Sequence, residues 1–160
     1  MKKTILWLFV IVLGVTFGAG IYEARIVVPD WINADKFFWN ADAANQSNTG
    51  IRFWIFVTSI PLTLLTVVSL ISFLFTRGKL RTWWGVAAGA AFIDRVMTFG
   101  YFVPTMIELM DHGNSNEPNI VETAIFWADF NYLRIVIILI AWLAAMKALT
   151  IIYSNPETTS

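Results

Sequence analysis

The sequence contains no cysteine and a single histidine. Without thiols there is no disulfide, iron–sulfur cluster or thiolate metal site, and the redox compartment is left open. The one histidine, His112, lies in a polar loop. An apolar run without histidine excludes haem ligation of the usual kind and a carboxylate–histidine di-iron centre. Charge is scarce as well: Asp, Glu, Lys and Arg make up 14% of the 160 residues, against about a quarter in an ordinary soluble domain. Such a chain cannot cover itself with a hydrated surface, so a lipid bilayer is its expected solvent. Net charge is zero and no basic run exists beyond short loops, which argues against nucleic acid as a partner. ExxH, HExxH, GxSxG and phosphate-binding glycine loops are also missing, so neither a metal nor a cofactor is expected.

Apolar sequence is abundant: 58% of residues are hydrophobic and 16% aromatic, with a mean hydropathy of +0.66. About 20 helical residues cross the hydrocarbon core. Stretches of that length run over about 4–28, 51–75, 83–107 and 123–152. Pro29 and the Gly78 turn are expected to close the first two. The short TRGKLRT link makes the second and third antiparallel neighbours. Lys2 and Lys3 precede the first stretch, and Arg77, Lys79 and Arg81 follow the second. The loop from Pro29 to Gly50 has only Lys36, and DHGNSNEPNIVE has no Lys or Arg. The positive-inside rule then puts both termini in the cytoplasm of a cell (inner) membrane protein. A cleaved secretory signal ending at Gly20 fits less well. The apolar run is longer than usual for a signal, and removing it would reverse the charge bias.

The expected fold is therefore all-α, a single domain. It is an antiparallel bundle of four transmembrane helices with a short extracytoplasmic interfacial segment after the first. In that segment Trp31, Phe37, Phe38 and Trp39 suit the headgroup belt, followed by a polar turn; an ordinary surface loop is the competing reading. The final ETTS reads as a frayed tail. Gly14 with Gly18, and Gly85 with Gly89, form GxxxG pairs that let helices approach closely. Ser59, Thr63 and Thr66 share one helix stripe and are expected to bond back to their own backbone or line a pocket. Pro61 is expected to kink its helix. IVVPD and YFVPT form a weak internal echo.

Six charged residues fall within or at the edge of these stretches: Glu23, Asp94 and Asp129 against Arg25, Arg95 and Arg134. Each costs roughly 2.5–3.5 kcal/mol at a helix centre on insertion scales, so mutual pairing between helices is expected. Trp127, Asn131 and Arg134 lie along one stripe at 100° per residue, while Asp129 points about 140° from Arg134, toward water. Asp94, Thr98 and Tyr101 share another stripe. Asp94 and Arg95 point about 100° apart, so each is expected to seek a partner elsewhere. The set is either structural, fixing which helices meet, or a polar cavity that binds or transforms a ligand.

Trp127, Asn131 and Arg134, in W-x3-N-x2-R before an Ala-rich apolar run, resemble the last helix of the anthrone-oxygenase-like family of small four-span membrane proteins. GAGIYEARIVVPDW resembles the first helix and its exit in bacterial members, and FVPT the end of the third helix. The resemblance covers the chain in span order. It implies a cofactor-free oxygenase or binding protein for a small aromatic, lipid-soluble molecule, with an acid–base group, an oxyanion donor and an apolar aromatic pocket. Carried onto these residues, Glu23 or Asp94 is the base, Arg134 with Asn131 supplies the donors, and Trp127 and Tyr101 form the wall. Arg95 joins the ligand-binding set. The alternative is a non-catalytic structural or accessory membrane protein.

Overall fold

The computed structural model describes residues 2–33 and 37–154. Lys36 and the ETTS tail lie outside them. Four helices are long and apolar enough to cross a membrane: Lys2–Trp31, Arg52–Leu74, Gly78–Asp111 and Pro118–Ser154. In finer detail the chain runs α1 (Lys2–Tyr22), π1 (Glu23–Val27), α2 (Val28–Trp31), β1 (Ile32–Asn33), β2 (Phe38–Trp39), α3 (Ala41–Ser47), π2 (Gly50–Ser59) and α4 (Ile60–Leu74). It continues through α5 (Gly78–Met97), π3 (Thr98–Phe102) and α6 (Val103–Asp111) to α7 (Pro118–Ser154). The third and fourth helices overrun the expected spans, because Lys79 and Arg81 belong to the first turns of α5 rather than to a loop. Arg81 lays its guanidinium over the Phe73 ring at 4.9 Å, which keeps the charge at the helix end.

α7 packs against α5 and α1, and α4 packs against the same two. Alanines make this approach close: Ala87, Ala88 and Ala91 on α5, and Ala141, Ala144, Ala145 and Ala148 on α7, are all buried. Large apolar side chains such as Phe56, Leu64, Phe75, Phe92 and Leu143 point outward and stay exposed. An apolar outer surface over a small-residue interior is the arrangement lipid favours, and it marks a multi-pass membrane protein. Only the first glycine of each GxxxG pair is packed. A Cβ at Gly14 would meet the Trp142 indole and one at Gly85 the Phe73 ring, whereas Gly18 and Gly89 face open space. The contact is thus glycine against an aromatic ring.

Three of the long helices contain a π-helical segment, and each ends at a proline. Val28, Ile60 and Val103 donate their N–H groups to the carbonyls of Glu23, Ile55 and Thr98, five residues back, and Pro29, Pro61 and Pro104 come directly after them. Proline lacks an N–H and its ring collides with the carbonyl four residues earlier. The wider five-residue turn relieves that collision without ending the helix. Pro29 therefore does not close the first helix, which continues to Trp31. The IVVPD and YFVPT echo corresponds to the same device used twice.

Residues after Trp31 fold into a cap. β1 pairs antiparallel with β2, and Trp39 exchanges backbone hydrogen bonds with Ser115, tying the cap to the loop before α7. The Trp39 indole donates to the Leu109 carbonyl at 3.0 Å, and Trp31 donates to Ser47 Oγ at 3.2 Å. α3 is N-capped by Asn40, whose side chain accepts from Ala43 N–H, as expected for this residue type. Trp31 and Trp39 are 2% and 1% exposed. They are core residues, not members of a headgroup belt, because their N–H groups find acceptors inside the fold.

Candidate functional site

The polar cluster is centred on Asp94, which is fully buried on α5. One carboxylate oxygen accepts from Arg134 Nε of α7 at 3.1 Å. The other accepts from Arg95 Nε at 3.0 Å and also from Arg95 Nη2. Arg134 Nη1 donates to Asn131 Oδ1 at 3.2 Å, one turn back on the same stripe. Its guanidinium carbon lies over the Phe102 ring, 4.5 Å from the centroid, a distance at which the ring attracts a cation. Arg134 therefore meets a carboxylate and an amide in the interior, with 15% of its side chain exposed.

Asp94 and Arg95 do pair with each other, contrary to the expectation from their helical angle. The angle separates the Cβ atoms, but three methylenes let the arginine curl back to its neighbour. The matched set of three pairs is corrected as well: Asp94 makes both ion pairs found among the described residues. Glu23 accepts a hydrogen bond from Thr49 Oγ1 at 2.6 Å. The Trp54 side chain also approaches it, and Arg134 acts on it at longer range. Arg25, two residues on within π1, faces away from Glu23; it points outward over Tyr132 at 5.9 Å. Asp129 is exposed, as its spacing from Arg134 requires.

Tyr101 does not join the cluster. The stripe Asp94, Thr98, Tyr101 assumes an unbroken α-helix, but π3 turns differently from Thr98 onward. Phe102, 2% exposed, takes the buried position beside Arg134. Tyr101 rotates outward to pack edge-on against Phe126 and Phe130. Trp127 does reach the site: its indole donates to the Phe102 carbonyl at 3.1 Å, and its ring meets Phe102 at 5.8 Å. Phe102, Thr49 and Trp54 are thus site residues that sequence reasoning missed. The signal for Phe102 was Pro104, since a proline two residues on implies a local change of helical register. Thr49 and Trp54 carried no local signal.

Donors and acceptors in the cluster do not balance. Two guanidiniums share one carboxylate, and Arg95 Nη1, although buried, has no acceptor among the described residues. Thr63 Oγ1 is buried without a partner in the same sense, whereas Thr66 bonds back to the Leu62 carbonyl at 2.6 Å. Two surface depressions are lined by neither Asp94 nor its two arginines. One of about 200 Å³ is lined by residues including Ala24, Ala128 and Asp129, and another of about 560 Å³ by residues including Tyr101, Glu108 and Glu122. Among the described residues, no group of three His, Cys, Asp or Glu side chains could hold a metal ion.

Fold and site together define a helical multi-pass membrane protein with a buried carboxylate–diguanidinium cluster. No family model, curated protein or solved structure matches this chain.

Proposed function

We propose that this protein is an antiparallel four-helix bundle of the cell (inner) membrane, with both termini cytoplasmic and the cap outside. It binds a small aromatic, lipid-soluble molecule through an oxygen that accepts from Arg95. The topology is supported by Lys2 and Lys3 at the start of the first long helix and by Arg77, Lys79 and Arg81 at the turn between the second and the third. Alternating spans would bring these segments to one face. Because the chain has no cysteine, single substitutions test it cleanly. An impermeant thiol reagent on intact cells should label Gln46→Cys, exposed in the cap, and spare Arg77→Cys; the reverse pattern overturns the orientation.

The observation that carries the binding reading is Arg95 Nη1, a buried cationic donor left unused. Burying such a group without an acceptor costs about 1–3 kcal/mol or more, a penalty that a ligand carbonyl or phenolate would relieve. In a catalytic form of this reading, which rests on the anthrone-oxygenase-like resemblance, Glu23 is the base. Asp94 is unsuited because two guanidiniums neutralise it, whereas neutral groups hold Glu23. Arg134 and Asn131 are already bonded to other groups, so Arg95 takes over as the oxyanion donor.

The complete burial of Asp94 favours a second reading, in which the cluster only fixes helix packing. Thermal unfolding in detergent, with anthrone and anthraquinone as probes, separates the two. Under the binding reading a probe raises the midpoint of the wild type and has no effect on Arg95→Met, while Glu23→Gln weakens the shift. If neither probe shifts the wild type, and Asp94→Asn lowers its midpoint, the packing reading stands.

A further inference from the structure

A second site lies away from the buried cluster, where the first and last long helices leave a furrow on the outer surface near the cap. Ala24, Val28 and Ile32 line one side, and Ala128, Asp129 and Tyr132 the other. Its volume is about 200 Å³, and its floor is apolar. Ala24 and Ala128 leave room there, because each side chain is a single methyl group. The surrounding Ile21, Ile26 and Leu133 are exposed, so the furrow opens toward lipid.

Opposite charges stand at its rim without meeting. Asp129 is exposed and forms no ion pair among the described residues. Arg25 is exposed too, and its guanidinium lies over Tyr132, which itself lines the furrow. Both charges belong to the cap-side halves of their helices.

We propose that the furrow holds one phospholipid with a primary ammonium headgroup, its phosphate on Arg25, its ammonium on Asp129 and its first acyl segment over Ala24 and Ala128. An arginine fork suits a phosphodiester, and a carboxylate suits an ammonium that still has N–H groups to donate. A glycerol headgroup would satisfy Arg25 through the same phosphate but offer Asp129 only uncharged hydroxyls. A choline headgroup has no N–H to offer.

Native mass spectrometry of the full chain, stripped of lipid in detergent and titrated with phosphatidylethanolamine, phosphatidylcholine or phosphatidylglycerol, tests this. Phosphatidylethanolamine should bind about two- to fivefold more tightly than either of the others, the worth of one exposed ion pair at the upper part of its range. Asp129→Asn should erase that preference while keeping binding, and Arg25→Gln should weaken all three lipids. Both side chains are exposed, so the fold should survive, as unchanged circular dichroism would verify. Equal binding of phosphatidylglycerol, or an undiminished preference in Asp129→Asn, overturns the proposal.

Discussion

Asp94→Asn is the sharpest test of what holds the helices together. The substitution keeps shape and removes charge. Two guanidiniums, Arg95 and Arg134, then share an amide whose nitrogen donates where a carboxylate oxygen accepted. Removing one member of a buried ion pair costs about 3–5 kcal/mol because the survivor stays buried and uncompensated. Here two survivors remain. Arg134 keeps Asn131 and the Phe102 face, and the 15% exposure of its side chain moderates its penalty. Arg95 has no comparable fallback, since its bonds all go to Asp94. The expected loss is therefore about 3–5 kcal/mol, read as the shift in an unfolding curve in mixed micelles, with tryptophan fluorescence as the signal. Adding Arg95→Met removes one stranded cation and should restore at least about 1 kcal/mol, a coupling typical of contacting residues. A loss below about 1 kcal/mol for Asp94→Asn, the scale of an ordinary single substitution, would refute the view that this carboxylate organises the interior.

Other substitutions probe the remaining contacts. Gly85→Ala places a Cβ 2.7 Å from the Phe73 ring and should cost about 1–3 kcal/mol by overpacking. Gly18→Ala meets nothing within 4 Å and should leave stability unchanged or raise it by up to about 1 kcal/mol through helix propensity; thermal unfolding of the two variants side by side checks the contrast. Trp127→Phe keeps an aromatic ring but deletes the bond to the Phe102 carbonyl, with an expected loss of about 0.5–1.5 kcal/mol in the same unfolding assay. Thr49→Val strips the hydroxyl from Glu23 and should cost about 1–3 kcal/mol. Hydrogen exchange should locate the loosening at π1 and the start of π2.

The buried positions of Asn131, Trp127 and Arg134 were legible from one helical stripe, because α7 is unbroken and the angle per residue holds along it. The same arithmetic failed for Tyr101, where π3 shifts the register and puts Phe102 inside. It also failed for Glu23, whose partner Thr49 stands just before π2, 26 residues away. The aromatic residues after Pro29 suggested an interface in sequence. In the fold, Trp31 and Trp39 instead seal a small core with Val121 and Ala124, since a tied-down loop can bury indoles that a free one would leave at the headgroups.

By itself, then, the sequence determined the solvent of this protein, the number of helices long enough to cross a membrane, and which side chains could not rest in lipid. Those properties depend on composition and on a period of about 3.6 residues, both of which are local. Only the tertiary structure decided that Asp94 serves two arginines, that Glu23 turns to a hydroxyl, and that Arg25 and Asp129 remain apart. Pairing depends on how near the alanine-lined helices come and on how far each π turn rotates the helix beyond it, and these are set by contacts between distant parts of the chain.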